Sequence, residues 1–165
     1  MRNTIIASIL LIVSASTAAQ RGGLNASNND PWSFEHYPAV ADFKGKPAEP
    51  LLLTHGERNY RTQIREQART GPNFAGHFTL VKWGCGSPCL AFIIIDAKTG
   101  TVYDPGFPVA CANENGMDAS ADYKLTSRLL ITTGFSEKAG CGTGFFEWDG
   151  KRLHRIHFEP WHSSR

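Results

Sequence analysis

The chain has 165 residues, of which 41% are hydrophobic and 19% charged, and its formal net charge is +2. This length suffices for one ordinary domain with its own core. The charge is too small to create the strong positive field typical of nucleic-acid-binding proteins. No hydrophobic stretch reaches the roughly 20 residues that a membrane span takes. We therefore expect a protein with no nucleic-acid partner and no membrane span.

The first 19 residues have the pattern of a secretory signal peptide. Arg2 precedes an apolar run from Ile5 to Val13, and the small residues Ser14 to Ala19 follow it. We expect cleavage after Ala19. Loss of Arg2 then lowers the net charge from +2 to +1 (2 − 1). The sequence thus predicts export to the periplasm or secretion.

The next part of the chain changes from polar to aromatic composition. Residues 20–31 are rich in Gly, Asn and Ser, which predicts a flexible tether. We assign residues 32–165 to a single β-rich domain. Prolines interrupt its first part, and since proline cannot donate a ladder hydrogen bond, we expect only short edge strands at Tyr37–Phe43 and Leu51–Leu53.

One segment has helical periodicity. The spacing of Tyr60, Ile64 and Ala68 gives an apolar stripe along a helix predicted from Glu57 to Arg69, and Gly71-Pro72 ends it. We expect the stripe to face a sheet.

Four arginines lie opposite the apolar stripe of the predicted helix: Arg58, Arg61, Arg65 and Arg69. One interpretation is an ordinary solvated face that Glu57 and Glu66 partly neutralise. The other is a binding ridge for an acidic envelope protein or an anionic polymer.

The pattern beyond the helix is that of extended chain. Strands are predicted at Phe78–Trp83, Leu90–Asp96, Thr101–Tyr103, Arg128–Thr133, Gly144–Trp148 and Arg152–Phe158, with a loop at Pro105–Asn115. The second strand is apolar on both faces, which predicts a central strand covered on both sides. Turns are expected at Asp96–Gly100 and at Asp149-Gly150. Together, the predicted helix and strands indicate an α+β fold, mainly β: an antiparallel meander sheet of about six strands with one packed helix.

The chain contains four cysteines: Cys85, Cys89, Cys111 and Cys141. An even number in an exported chain favours two disulfides. Cys85 and Cys89 flank a three-residue loop, so we predict that they pair. The remaining pair, Cys111–Cys141, would clamp a long loop to the strand that leads to Trp148.

An alternative use of the cysteines is catalytic. His77 precedes Cys85 by eight residues, so a Cys–His thiol enzyme built from His77 and Cys85 or Cys89 is a second hypothesis, and a metal or redox protein is a third. The histidines show no metal-binding spacing, and we expect His154 and His157 to point to opposite faces of their strand. We predict no metal and no cofactor.

Several motifs occur together in a fixed order: Gly71-Pro72-Asn73-Phe74-Ala75-Gly76-His77, Trp83-Gly84-Cys85-Gly86 with Cys89, Asp96-Ala97-Lys98-Thr99-Gly100, Ser127-Arg128-Leu129-Leu130, Cys141-Gly142-Thr143 and Glu147-Trp148-Asp149-Gly150. Over residues 37–156 the chain resembles a family of uncharacterised exported bacterial proteins. The resemblance implies no activity. Gly144-Phe145-Phe146 stands where the family pattern has a row of tyrosines, which argues against a role for phenol hydroxyls there.

The sequence therefore favours an exported, disulfide-stabilised, non-catalytic binding module of the bacterial envelope, of inhibitor or immunity type. Its expected partner is an envelope protein or an anionic polymer. The thiol enzyme and the metal or redox protein remain the alternatives.

Overall fold

The computed structural model describes residues 30–111, 119–137 and 140–161. These residues contain seven strands in two antiparallel sheets, two short α-helices and one 3-10 turn at Phe34–His36. The expected mainly β, antiparallel α+β fold is confirmed. The predicted signal peptide and residues 20–29 of the predicted tether lie outside the described residues.

The strands divide into a three-stranded and a four-stranded sheet. The first sheet consists of β1 Phe78–Gly86, β2 Cys89–Asp96 and β3 Val102–Tyr103, in that order. The second consists of β4 Ser120–Tyr123, β5 Leu129–Glu137, β6 Gly140–Trp148 and β7 Leu153–Pro160, also in chain order. The expected single meander is thus two meanders, and β4 was not predicted.

The two sheets pack face to face around one core. Its buried side chains from the first sheet are Phe78, Leu80, Phe92 and Ile94, and those from the second are Ala121, Leu130, Phe146 and Trp148. Because successive residues of a strand point to opposite faces, the intervening residues of β1 and β2 form a second core on the other face. This second core contains Val81, Ile93 and Ile95 with Ile64 and Ala68 of the helical segment. The apolar strand β2 is therefore covered on both sides, as predicted.

The predicted helix Glu57–Arg69 is broken into α1 His55–Asn59 and α2 Arg61–Ala68. Tyr60 lies between them with φ −102° and ψ 15°, and its N–H donates to the carbonyl of Glu57, a tighter turn than α-helical bonding gives. Ile64 and Ala68 are buried as expected, whereas Tyr60 is 38% exposed. One straight helical wheel therefore does not describe this segment.

The two expected edge strands do not form. Within Tyr37–Phe43 only Pro38 makes a single β-bridge, to Ser127, and within Leu51–Leu53 the N–H of Leu51 donates to the carbonyl of Gly100 without a ladder. Pro38 and Pro50 lack a backbone donor at the start of these two segments, which removes one ladder bond from each.

The segment that begins at Asp30 covers the outer face of the second sheet. Trp32 stacks on His157 of β7, with ring centroids 4.4 Å apart, and lies 6.0 Å from the ring of Phe145. The carboxylate of Asp30 accepts a hydrogen bond from the N–H of Trp32. Asp30, which the sequence assigned to the tether, therefore belongs to this ordered cover.

The two predicted turns form. Gly100 adopts φ +77° and donates to the carbonyl of Asp96 at 2.8 Å, and no side chain would fit there because the backbone of Glu49 approaches closely. Asp149 and Gly150 begin the connection between β6 and β7.

Candidate functional site

All four cysteines form disulfides, in the pairs expected from the sequence. Cys85–Cys89 joins the ends of the β1–β2 hairpin loop with Cα atoms 5.0 Å apart, and Cys111–Cys141 ties the loop after β3 to β6 with Cα atoms 5.9 Å apart. Since the chain has four cysteines in total, no free thiol remains for nucleophilic or redox chemistry in this state.

His77 lies at the opposite end of β1 from the disulfide loop. It immediately precedes the strand, and eight residues of extended chain place it about 26 Å from Cys85. Its imidazole lies 3.9 Å from the carboxylate of Asp96 and packs on Phe78, and its carbonyl accepts a hydrogen bond from Ala97. The structure therefore does not bring His77 and the cysteines together.

The segment before His77 has a structural role. The side-chain amide of Asn73 bonds to both the N–H (2.7 Å) and the carbonyl (3.1 Å) of Leu80, so it replaces a neighbouring strand at the edge of β1. Gly76 has φ +87°, donates to the carbonyl of Leu125 at 2.7 Å and lies against the backbone of Val40. The Gly71–His77 motif thus forms hydrogen bonds both to β1 of the first sheet and to the β4–β5 connection of the second sheet.

The expectation for His154 and His157 is wrong. A β-bulge in the β6–β7 pairing places His154 opposite Glu147 and His157 opposite Phe145, so the three-residue spacing puts both histidines on one face. His154 bonds to Asp149 at 2.6 Å, and His157 stacks on Trp32. Within residues 30–111, 119–137 and 140–161, no three His, Cys, Asp or Glu side chains form a metal-binding group.

The four arginines predicted to lie opposite the apolar stripe are all exposed, but their side chains have different partners. Arg58 donates to the carbonyl of Leu53 at 2.7 Å, and Arg61 donates to the carbonyl of Arg58 at 3.2 Å. Arg69 forms a long ion pair of 3.7 Å with Glu49. In the part of the chain that the structure describes, Arg65 has no ion-pair partner.

Glu57, expected to neutralise the arginines, is instead turned into the protein. It is 8% exposed, and its carboxylate accepts hydrogen bonds from the N–H groups of Leu53 (2.6 Å) and Thr54 (2.9 Å). The hydroxyl of Thr54 accepts a hydrogen bond from the N–H of Glu57, which completes a capping box at the start of α1. Among the described residues, Glu57 therefore forms no ion pair with an arginine.

Two apolar side chains adjoin the arginines. Leu53 is 78% exposed, and its carbonyl holds the guanidinium of Arg58. Tyr60 stacks on Trp83 of β1 with ring centroids 4.8 Å apart, which fixes the phenol ring at the break between the helices. We call Leu53, Arg58, Tyr60, Arg61 and Arg65 the helix surface. The sequence identified its arginines but assigned Leu53 to a strand and Tyr60 to the buried stripe.

The helix surface contains no nucleophile with an adjacent base. It can supply guanidinium donors for bidentate bonds to carboxylates, with an aromatic and an aliphatic contact beside them. This composition is typical of recognition, because Arg and Tyr are enriched among the residues that contribute most to protein–protein affinity.

No protein-family profile, curated protein or solved structure matches the chain. None of the helices among the described residues is long and apolar enough to cross a membrane.

Proposed function

We propose that the protein is an exported, non-catalytic binding module of the bacterial envelope, and that its helix surface binds an acidic partner protein, as an inhibitor or immunity protein would. The observation that carries the proposal is the arrangement around α1: Arg58, Arg61 and Arg65 are exposed, and of the two acids expected to neutralise them Glu57 is buried among backbone donors while only Glu66 is exposed.

The supporting framework is rigid. Ile64, on the opposite side of α2 from solvent, is fully buried against Val81, Ile93 and Ile95. Backbone carbonyls already hold Arg58 and Arg61 in one orientation each. A partner that binds this surface therefore loses less side-chain entropy than it would on flexible arginines.

A protein partner is favoured over an anionic polymer. Leu53 and Tyr60 offer apolar contact area within the helix surface, and a polymer recognised by its charge alone would gain little from them. A complementary acidic protein would use both the arginines and these contacts.

The proposed location is the periplasm or the cell exterior. Both disulfides fit an oxidising compartment, in which such bonds persist. Arg2 and the apolar run Ile5–Val13 support export. A thiol enzyme is less well supported, because the cysteines are paired and His77 lies at the other end of β1 from Cys85 and Cys89.

Capture from envelope extract tests the proposal. The baits are the mature protein, Arg65→Glu, and the control Lys44→Glu, which reverses one exposed charge outside the helix surface. We expect the first and third baits to enrich the same acidic protein and Arg65→Glu to lose it. Binding of the purified pair should weaken as salt rises.

Equal capture by Arg65→Glu and the mature protein would contradict the proposed surface. Binding of purified lipopolysaccharide or wall polymer with no enriched protein would contradict the proposed partner class. Thiol-dependent catalysis by protein recovered from the periplasm would support the enzyme alternative instead.

A further inference from the structure

A cleft of about 270 Å³ lies where the two sheets meet. Ile94 and Tyr103 contribute to it from the first sheet, and Trp148 and Leu153 from the second. The cleft is on a different part of the fold from the helix surface, which α1 and α2 form over the opposite face of the first sheet. A ligand in the cleft would therefore not contact the helix surface.

Trp148 lines the cleft and has an indole N–H that is unpartnered within the part of the chain that the structure describes. Its side chain is 2% exposed and packs edge-on against Tyr103 and Phe78, with ring centroids 5.3 and 5.2 Å away. Among the described residues, no acceptor lies within hydrogen-bonding distance of its Nε1. Because no group among the described residues accepts from this N–H, its NMR resonance should respond to a ligand in the cleft.

Two cationic side chains line the same cleft. Lys151 and Arg152 lie in the β6–β7 turn, are exposed, and form no ion pair within the described residues. The nearby acid Asp149 is already used: one oxygen accepts from the N–H groups of Lys151 and Arg152, at 2.7 Å each, and the other bonds to His154. The two side-chain cations are therefore available to an anion.

The remaining wall limits the kind of anion. Asp104 also lines the cleft, and one of its oxygens accepts from the N–H of Gly106 at 2.8 Å. Two cations and one carboxylate leave a net charge of +1 (2 − 1), which suits a single negative charge better than a phosphate or a polyanion. Tyr103, Pro105 and Leu153, which are half-buried, offer apolar contact to the rest of a ligand.

We infer that this cleft binds a small organic monocarboxylate with an apolar body, its carboxylate held by Lys151 and Arg152 and its apolar body beside the Trp148 indole. The volume accommodates a ligand of roughly 10 non-hydrogen atoms, for which Kd is expected on the order of 1 mM. Binding requires no partner protein and no change at the helix surface.

Titration with phenylacetate tests the inference, with its neutral isostere phenylacetamide as the matched control. The readout is the indole N–H resonance of Trp148 in NMR spectra, assigned by its loss in Trp148→Phe. We expect phenylacetate to shift this resonance saturably and phenylacetamide to bind at least about tenfold more weakly.

The variant Lys151→Ala/Arg152→Ala removes both cations from an exposed turn. We expect it to keep the native amide spectrum and to bind phenylacetate at least about tenfold more weakly, while Lys98→Ala, an exposed cation outside the cleft, binds as before. The inference would be overturned by equal binding of acid and amide, by unchanged binding to the double variant, or by no saturable shift at concentrations about twenty times the expected Kd. Capture of a partner by the helix surface is independent of all three outcomes.

Discussion

Gln67 of α2 pairs with Lys82 of β1 through both ends of its side-chain amide. Its Nε2 donates to the carbonyl of Lys82 at 2.9 Å, and its Oε1 accepts from the N–H of Lys82 at 3.1 Å. Since β1 is an edge strand of the first sheet, this amide occupies the position of a neighbouring strand and prevents pairing with another chain. It also fixes α2, and with it Arg65, on the sheet.

Gln67→Ala should therefore destabilise the fold by about 1–2 kcal/mol, because two backbone groups lose their partner. Gln63→Ala, an exposed change on the same helix, should stay within about 0.5 kcal/mol. Urea denaturation of both variants gives the comparison. Equal free energies of unfolding would show that the Gln67 pairing contributes nothing.

The two sides of α2 should respond differently to truncation. Ile64 is fully buried in the second core, so Ile64→Ala should lower the free energy of unfolding by about 2–5 kcal/mol. Arg65→Ala should change it by less than about 0.5 kcal/mol, because the side chain is exposed. Chemical denaturation measures both, and similar losses would contradict the assignment of the two faces.

The two disulfides should differ in their effect on stability. Cys111–Cys141 closes a separation of 30 residues and Cys85–Cys89 one of 4. Chain entropy then gives about 4 and about 2 kcal/mol. Cys111→Ser/Cys141→Ser should accordingly unfold at lower denaturant concentration than Cys85→Ser/Cys89→Ser. Non-reducing peptide mapping checks the pairing, and a peptide joining Cys85 to Cys111 would overturn it.

Asp149 should govern part of the acid sensitivity. The hydrogen bond from His154, followed by those from the backbone of Arg152 and Lys151, lowers the pKa of Asp149 from 3.8 to about 2. Because the pKa in the folded state is below its ordinary value, the ionised carboxylate stabilises the fold above 3.8, and this contribution is lost as pH falls toward about 2.

His154→Ala should raise the pKa of Asp149 toward 3.8 and reduce the loss of stability in that interval, whereas Lys151→Ala, which keeps its backbone N–H, should leave the pKa unchanged. Carboxyl-carbon NMR titration measures the pKa. An unchanged value in His154→Ala would show that another group is responsible.

Local signals in the sequence predicted much of this fold. The apolar run of β2, the Asp149-Gly150 turn and the spacing of Cys85 and Cys89 each depend on neighbours in the chain, and the structure contains all three features. Tyr60, at the break between the helices, stacks on Trp83 of β1, and Phe145 is covered by Trp32, which is distant in sequence. Such contacts have no local periodicity.

The candidate sites also combine features that local sequence signals indicate with features that depend on distant contacts. Helical spacing identified the arginines. The burial of Glu57 was missed, although Thr54 and Glu57 have the three-residue spacing of a capping box, which is a signal within the sequence. The cleft at Trp148 joins residues of two sheets, and no pattern within either sheet indicates that they meet.

The most direct test of the proposed function is to map the contact of the captured protein on this chain. The isotope-labelled mature protein is titrated with the purified partner, and the backbone amide signals are followed by NMR. The largest changes should fall on Leu53, Tyr60, Arg61 and Arg65, and Arg65→Glu should raise Kd at least about tenfold. Changes confined to the β6–β7 turn or to the outer face of the second sheet, with Arg65→Glu binding as tightly as the mature protein, would contradict the proposed function.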